Sequence, residues 1–236
     1  MRIFSKYLTV FWLAFIAGTM SAFAQEKEEK STLITFVESQ LSAPNRQISL
    51  NGLEGTLSSK VSLDSITIAD KRGIWLKITK PKLVWNRTAL LRGKLDIESL
   101  TAESIDYLRN ADVDESLPAP EASSFKLPEL PVAVVIENIS IPRISFDQSV
   151  FGLKSEAAIQ GKVSLEDGAF DLDLAIDRKD GPGGTFKAIA QYSNETKVLA
   201  LDVSVEEPEN GILANLLKLE GQPPVSLKIK GKNPVS

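Results

Sequence analysis

The sequence predicts a mainly β protein: a long antiparallel meander with two short helices and no large helical layer. Three observations carry this expectation. First, apolar residues recur on alternate positions through residues 157–205. Ala157, Ile159, Val163 and Leu165 are followed by Phe170, Leu172, Leu174 and Ile176. Then come Phe186, Ala188, Ala190 and Tyr192, and finally Leu199, Leu201, Val203 and Val205. Second, the positions between them are largely polar, among them Asp171, Asp173, Asp177, Lys187, Gln191, Asp202 and Ser204. Third, the runs are separated by turn-forming stretches at 166–168, 179–184 and 193–196, rich in Gly, Asp and Asn. Period-two alternation between such turns marks antiparallel strands with one wet and one dry face. The dry face must curl on itself, pack on another sheet, or hold an apolar ligand.

Composition removes many functional classes. Among 236 residues there is no cysteine and no histidine. Disulfides, thiolate metal sites and the commonest general base are therefore excluded. A net charge of −4 without a lysine/arginine cluster argues against nucleic acid as a partner. Neither a metal nor a cofactor is expected.

Residues 1–24 form a signal peptide or a membrane anchor. Arg2 and Lys6 precede an apolar run that includes Tyr7, Phe11, Trp12, Leu13, Phe15 and Ile16, and Ala22 and Ala24 form a small-x-small cleavage pattern. The run is also nearly long enough to span a bilayer as an anchor helix. Either way the remainder is exported, and a Gram-negative periplasm is the economical compartment. The sequons at Asn86, Asn138 and Asn194 are read as chance.

Residues 25–109 form a first segment, a helix followed by strands. Leu33, Phe36, Val37 and Leu41 recur at helical spacing within 31–43, and Pro44 stops the helix. This helix is read as a plug for one end of the sheet. Ile48 and Leu50 then alternate, and Val61 and Leu63 lie on one parity with Ile66 and Ile68 on the other, which places a bulge or turn near Asp64 and Ser65. A hairpin turn at 70–73 leads to Ile74, Leu76 and Ile78, with Trp75 on the opposite face. Leu83 and Trp85, a helical turn at 88–91, and strands carrying Leu95, Ile97, Ile105 and Tyr107 complete the segment. Trp75 and Trp85 are read as packing aromatics.

Residues 110–131 form a proline-rich linker, with Pro118, Pro120, Pro128 and Pro131 among Asp, Glu and Ser. A second segment, 132–236, opens with Val132, Val134 and Ile136 on one parity and Ile139 and Ile141 on the other. Pro142 restricts that strand to an edge or an end of the sheet. After the central meander, 210–219 reads as a second short helix, and Val225, Leu227 and Ile229 as a last strand with a free edge.

No catalytic constellation emerges, and the chain is not read as an enzyme. Asp171 and Asp173 share the solvent parity, where acidic residues are expected. The acidic stretch 112–121 lacks calcium-loop spacing, and the glycines at 181–184 lack a following Lys-Ser/Thr. The apolar face is the remaining signal. Two short helices cannot cover this many strands of ~20–30 Å each, and a bare apolar face costs about 25 cal/mol per Å². Two solutions stand: a closed sandwich or barrel core, or a folded-over sheet whose seam admits acyl chains or an unfolded strand. In the second, the groove is lined by Phe170, Leu172, Leu174, Ile176, Phe186, Ala188, Leu199, Leu201 and Val203.

Residues 48–57 (ISLNGLEGTL) and 61–70 (VSLDSITIAD) resemble the N-terminal region of the TamB family, the translocation and assembly module subunit. The resemblance continues through 73–78 (GIWLKI), 83–85 (LVW) and 89–100 (ALLRGKLDIESL). It implies a β-taco or gutter related to AsmA-like and bridge-type lipid-transfer proteins, tethered at the inner membrane. It also implies a role in outer-membrane biogenesis: protein secretion and assembly, including autotransporters, phospholipid transport between the membranes, or both. The partners implied are phospholipid acyl chains or nascent outer-membrane protein strands, together with an Omp85-type outer-membrane protein. Family members are several times longer, so the chain is expected to be an N-terminal portion, cut at its C-terminus. The alternative is a structural envelope β-domain with a closed core and no transport activity.

Overall fold

A computed structural model describes residues 45–55, 59–112, 133–181 and 183–234, with positions 35, 38, 39, 42 and 127 besides. The chain divides into two units, Met1–Ala43 and Pro44–Ser236. In the first, Thr35, Glu38 and Ser39 are helical. Ser42 N–H donates to Glu38 O at 2.9 Å, and the other positions of the helix expected over 31–43 lie outside the described residues. So do the anchor residues Tyr7, Phe11, Trp12, Leu13, Phe15 and Ile16 and the cleavage pair Ala22 and Ala24.

Among its described residues, the second unit forms one open, curled sheet of thirteen strands. In chain order these are β1 (Gln47–Asn51), β2 (Lys60–Ser62), β3 (Ser65–Asp70), β4 (Gly73–Thr79), β5 (Lys82–Asn86), β6 (Lys94–Thr101) and β7 (Ser104–Tyr107). They continue as β8 (Ala133–Phe146), β9 (Ser155–Glu166), β10 (Ala169–Arg178), β11 (Thr185–Ser193), β12 (Val198–Glu207) and β13 (Val225–Pro234). The main path runs β1-β3-β4-β7-β8-β9-β10-β11-β12-β13, with β2, β5 and β6 beside it. The sheet does not close, since β1 and β13 are its ends.

The apparent branching reduces to three long, bent strands. Ser62 faces Lys82 and Ser65 faces Thr79, with two residues between on each side, so register is kept across the break. The same holds where β5 and β4 meet β6 and β7. Thus β2 runs into β3, β4 into β5, and β6 into β7, each bent at one level. At that level Leu63 N–H donates to Pro81 O, Lys80 N–H to Asp64 O and Glu103 N–H to Thr79 O, all at 2.9–3.0 Å. Lys80 takes φ +47°, and its ammonium pairs with Glu103 at 2.8 Å. An odd step between Val61 and Ile66 would turn a straight strand's side chains to opposite faces. Because all three strands bend together, the apolar set stays on one face.

The segments before and after the linker belong to the same sheet. β6 and β7 both pair in parallel with β8, Ile97 beside Ile136 and Ile105 beside Ile144. All other pairings are antiparallel, as a meander requires. Hydrogen bonds hold the linker where it is described. Just before it, Arg109 donates to both Asp70 carboxylate oxygens at 2.6 and 2.8 Å, and at its start Asp112 N–H donates to Asp70 Oδ2 at 2.9 Å. Further on, Leu127 N–H donates to Asn194 Oδ1 and Asn194 Nδ2 to Leu127 O, at 3.0 and 3.1 Å.

Two expectations need correction. Pro142 lies on β8, in the middle of the sheet and not at an edge. The ladder to β9 shifts register between Ile141 and Ile144, and the ladder to β6 and β7 is interrupted at the same place. Pro142 therefore sits where no strand requests its missing N–H. Trp75 does not oppose its neighbours as expected. A bulge between Ile68 and Ala69 turns it onto Tyr107, edge to face at 5.5 Å, and leaves Ile74 46% exposed.

The helices are short. The turn expected at 88–91 is a 3₁₀ helix, Arg87–Arg92, ended by Gly93 at φ +71°. Helix α1 (Gln148–Phe151), which the sequence reading lacks, is capped by the Asp147 side chain accepting from Ser149 N–H. Helix α2 (Ile212–Leu216) is the core of the helix expected over 210–219.

Candidate functional site

Strand register converts alternation along the chain into rows across the sheet. Ile176 pairs with Phe186, and Phe186 with Val205. In the next row Leu174 pairs with Ala188, which pairs with Val203. The following two rows carry Leu172 and Leu201 beside Ala190, and Phe170 and Leu199 beside Tyr192. All nine residues read as groove-lining therefore share one face, in four adjacent rows. The rows extend across β8, because bulges after Ile136 and Ile141 hold Val134, Ile136, Ile139, Ile141, Ile144 and Phe146 in phase with β9.

This face is lightly covered. Among the described residues no leucine or phenylalanine is buried. The buried apolar positions are mostly alanines (Ala89, Ala102, Ala157, Ala188, Ala190 and Ala214), joined by Ile97, Ile144, Tyr192 and Val205. Leu172, Leu174, Leu199, Leu201 and Val203 are only partly covered, and on β13 Leu227 and Ile229 are 42% and 49% exposed. A sandwich core of this size would contain several sealed leucines or phenylalanines.

One end of the face is roofed. Helices α1 and α2 lie there, joined by a hydrogen bond from Asn215 Nδ2 to Phe151 O. Beneath them is a cavity of about 400 Å³ walled by Phe146, Phe151, Ala157, Ile176, Phe186, Val203, Val205, Ile212, Leu213 and Leu227. An aromatic file leads to it, Trp75 to Tyr107, Tyr107 to Phe146 at 6.0 Å, and Phe146 to Phe151 at 4.9 Å. Glu207 secures the roof, its two carboxylate oxygens accepting from Ile212 and Leu213 N–H at 3.1 and 2.7 Å. This supplies the cap that Gly211, lacking a side chain, cannot.

Four polar residues share this wall: Ser155, Arg178, Thr185 and Glu207. The Arg178 side chain is only 7% exposed. Its Nε and Nη2 donate to the Asp180 carboxylate at 3.0 and 2.9 Å, and Asp180 also accepts from Glu156 N–H at 2.7 Å. Burial alone would raise the Asp180 pKa. The Arg178 and Glu156 hydrogen bonds outweigh it and hold the carboxyl below its ordinary value. Asp180 in turn raises Arg178, with a further contribution from the Glu207 charge. Arg178 Nη1 and Ser155 Oγ are buried and have no hydrogen-bond partner among the described residues.

Of the nine expected residues, Ile176, Phe186 and Val203 line the roofed cavity, and the other six lie on the open face beyond it. Arg178 and Ser155 are absent from that expectation, yet the sequence carries a signal for them. Arg178 follows Phe170, Leu172, Leu174 and Ile176 in phase, and Ser155 precedes Ala157 and Ile159 in phase. A charge and a hydroxyl on apolar parity mark a polar element inside a greasy face. Asp171 and Asp173 lie on the opposite, polar face, where Asp171 accepts from Gln191 Nε2 at 2.6 Å. No group of His, Cys, Asp or Glu among the described residues could hold a metal.

Comparison of the chain with protein-family models, with curated proteins and with solved structures finds no match.

Proposed function

We propose that this chain is a TamB-like component of the cell envelope whose sheet carries apolar chains along its dry face. The observation that supports it is the set of apolar rows, in register across an open sheet, in which every described leucine and phenylalanine is only partly covered or exposed. The mechanism is passive. Aliphatic side chains replace water around a cargo that would otherwise expose apolar surface, at about 25 cal/mol per Å². No bond is made or broken, so no catalytic group is called for.

The predominance of Leu, Ile, Val and Ala favours phospholipid acyl chains as cargo. A nascent outer-membrane protein strand would instead need pairing at an edge such as β13. With the resemblance over 48–100, this reading places the chain in the periplasm, beside or tethered to the inner membrane. It also gives the chain a role in outer-membrane biogenesis with an Omp85-type partner.

The test is native mass spectrometry of the full chain purified from an expressing Gram-negative host. A stoichiometric phospholipid is expected on the wild type and its loss from Leu174→Asp. A folded wild type free of lipid would instead favour the closed structural domain.

A further inference from the structure

The roofed end differs chemically from the rest of the face. It combines a 400 Å³ apolar cavity with two hydrogen-bond donors that nothing in the described chain uses. A buried donor left unmatched costs free energy, and native proteins rarely retain one without a use. Here there are two in one wall, Arg178 Nη1 on a side chain 7% exposed and Oγ of Ser155, a residue 5% exposed. Both residues lie at the roofed end of the apolar rows.

The charges nearby decide what kind of head group fits. Arg178 is already paired through two of its nitrogens with Asp180, and Glu207 stands in the same wall. Together these groups carry a formal charge of one negative, since one arginine faces two carboxylates. Both carboxylates are committed, Asp180 to Arg178 and Glu156 N–H, Glu207 to the first amides of α2. A second net negative charge against this mainly apolar wall would be disfavoured. A neutral acceptor meets no such penalty and satisfies both donors.

We propose that this end of the sheet is a binding site for the uncharged ester carbonyl of a single-chain acyl glyceride, held by Arg178 Nη1 and Ser155 Oγ. The tail lies against Ile176, Phe186 and Val205 under the α1–α2 roof. The volume agrees, being near the lower end of the roughly 300–1,000 Å³ of small-molecule sites, room for one chain and not two. This site rests on the acyl-chain reading above, and the test separates the two.

The full chain is titrated with Nile red, an uncharged apolar dye, which monolaurin or laurate then displaces at pH 8. Wild type is expected to bind Nile red and to prefer monolaurin over laurate. Ser155→Ala and Arg178→Lys, the latter keeping a cation beside Asp180, should each weaken monolaurin about five- to ten-fold, the effect of one buried hydrogen bond. Nile red affinity is measured for each variant alongside, so that the monolaurin loss is read as a ratio to the dye. Ser155→Ala should also raise the melting temperature of the lipid-free chain, because it deletes an unmatched hydroxyl. A purely structural serine would not show that opposition of stability and affinity. Monolaurin affinity unchanged in Ser155→Ala, or laurate bound as tightly as monolaurin, would overturn the head-group site while leaving the apolar face intact. Failure of wild type to bind Nile red at all would overturn the acyl-chain reading and this site with it.

Discussion

Replacing Leu201 with alanine tests whether the dry face is open or sealed. Leu201 sits mid-row on β12, paired with Ala190 on one side and Gly231 on the other, so small residues flank it. It is partly covered and not buried. Full burial of a leucine stabilises by about 1.5–3 kcal/mol, so a partly covered one contributes about 1–1.5 kcal/mol. In a closed core a cavity term would bring the cost of Leu→Ala to about 2–5 kcal/mol. On an open face no cavity forms, because the space beside the side chain is already accessible. The internal control is Tyr192→Ala on β11, where the ring is 4% exposed and an aromatic truncation should cost about 3–5 kcal/mol. Urea unfolding followed by circular dichroism reads both. With a slope of about 2–3 kcal/mol per molar, Leu201→Ala should move the midpoint by about 0.5 M and Tyr192→Ala by more than 1 M. A Leu201→Ala loss above about 3 kcal/mol at unchanged slope would mean the face is sealed, and the reasoning would fail.

Three further outcomes follow from local geometry. Glu207→Ala removes both acceptors from the start of α2 and should cost about 1–2 kcal/mol; hydrogen exchange at Ile212 and Leu213 should quicken, and unchanged exchange there would contradict the capping role. Arg109 hydrogen bonds hold the Asp70 carboxyl well below its usual range, so its stabilisation is present above the unfolded value of about 3.9 and is lost as pH falls through the folded one. The melting temperatures of wild type and Asp70→Asn should therefore differ most near neutrality and draw together progressively as pH falls below about 4, whereas a constant gap would refute the linkage. Pro142→Ala should change stability by no more than about 1 kcal/mol, since no ladder hydrogen bond is made or lost at the β8 bulge; a loss above about 3 kcal/mol in the same urea assay would refute that account.

How far the fold can be read from residues depends on how straight each strand is. β10, β11 and β12 pair without a register shift, so every second residue stays on one face and the alternation is legible. The two-residue turn at Asp167 and Gly168, with φ of +50° and +70°, is equally plain as a hairpin. β8 is different. Its bulges after Ile136 and Ile141 change parity twice, and a reader counting by twos assigns its apolar residues to both faces. Pro142 then looks like an edge marker when it is the residue that fills a bulge. The bend shared by β2–β3, β4–β5 and β6–β7 involves partners far apart in sequence, and local pattern shows only its trace at Asp64. The closed end of the site was missed for a related reason. Ser155 and Arg178 are polar residues in phase with the apolar ones, and an alternation traced by apolar residues alone leaves them out.

The central claim, that the dry face admits an acyl chain, is tested most directly by photocrosslinking along β12. A benzophenone amino acid is placed in turn at each position from 199 to 204, and the full chain is exposed to a radiolabelled phospholipid in the envelope. Crosslinks are expected at 199, 201 and 203, which share the apolar face, and not at 200, 202 and 204, which face the other way. Crosslinks with no period of two, or none at 199, 201 and 203, would contradict the account.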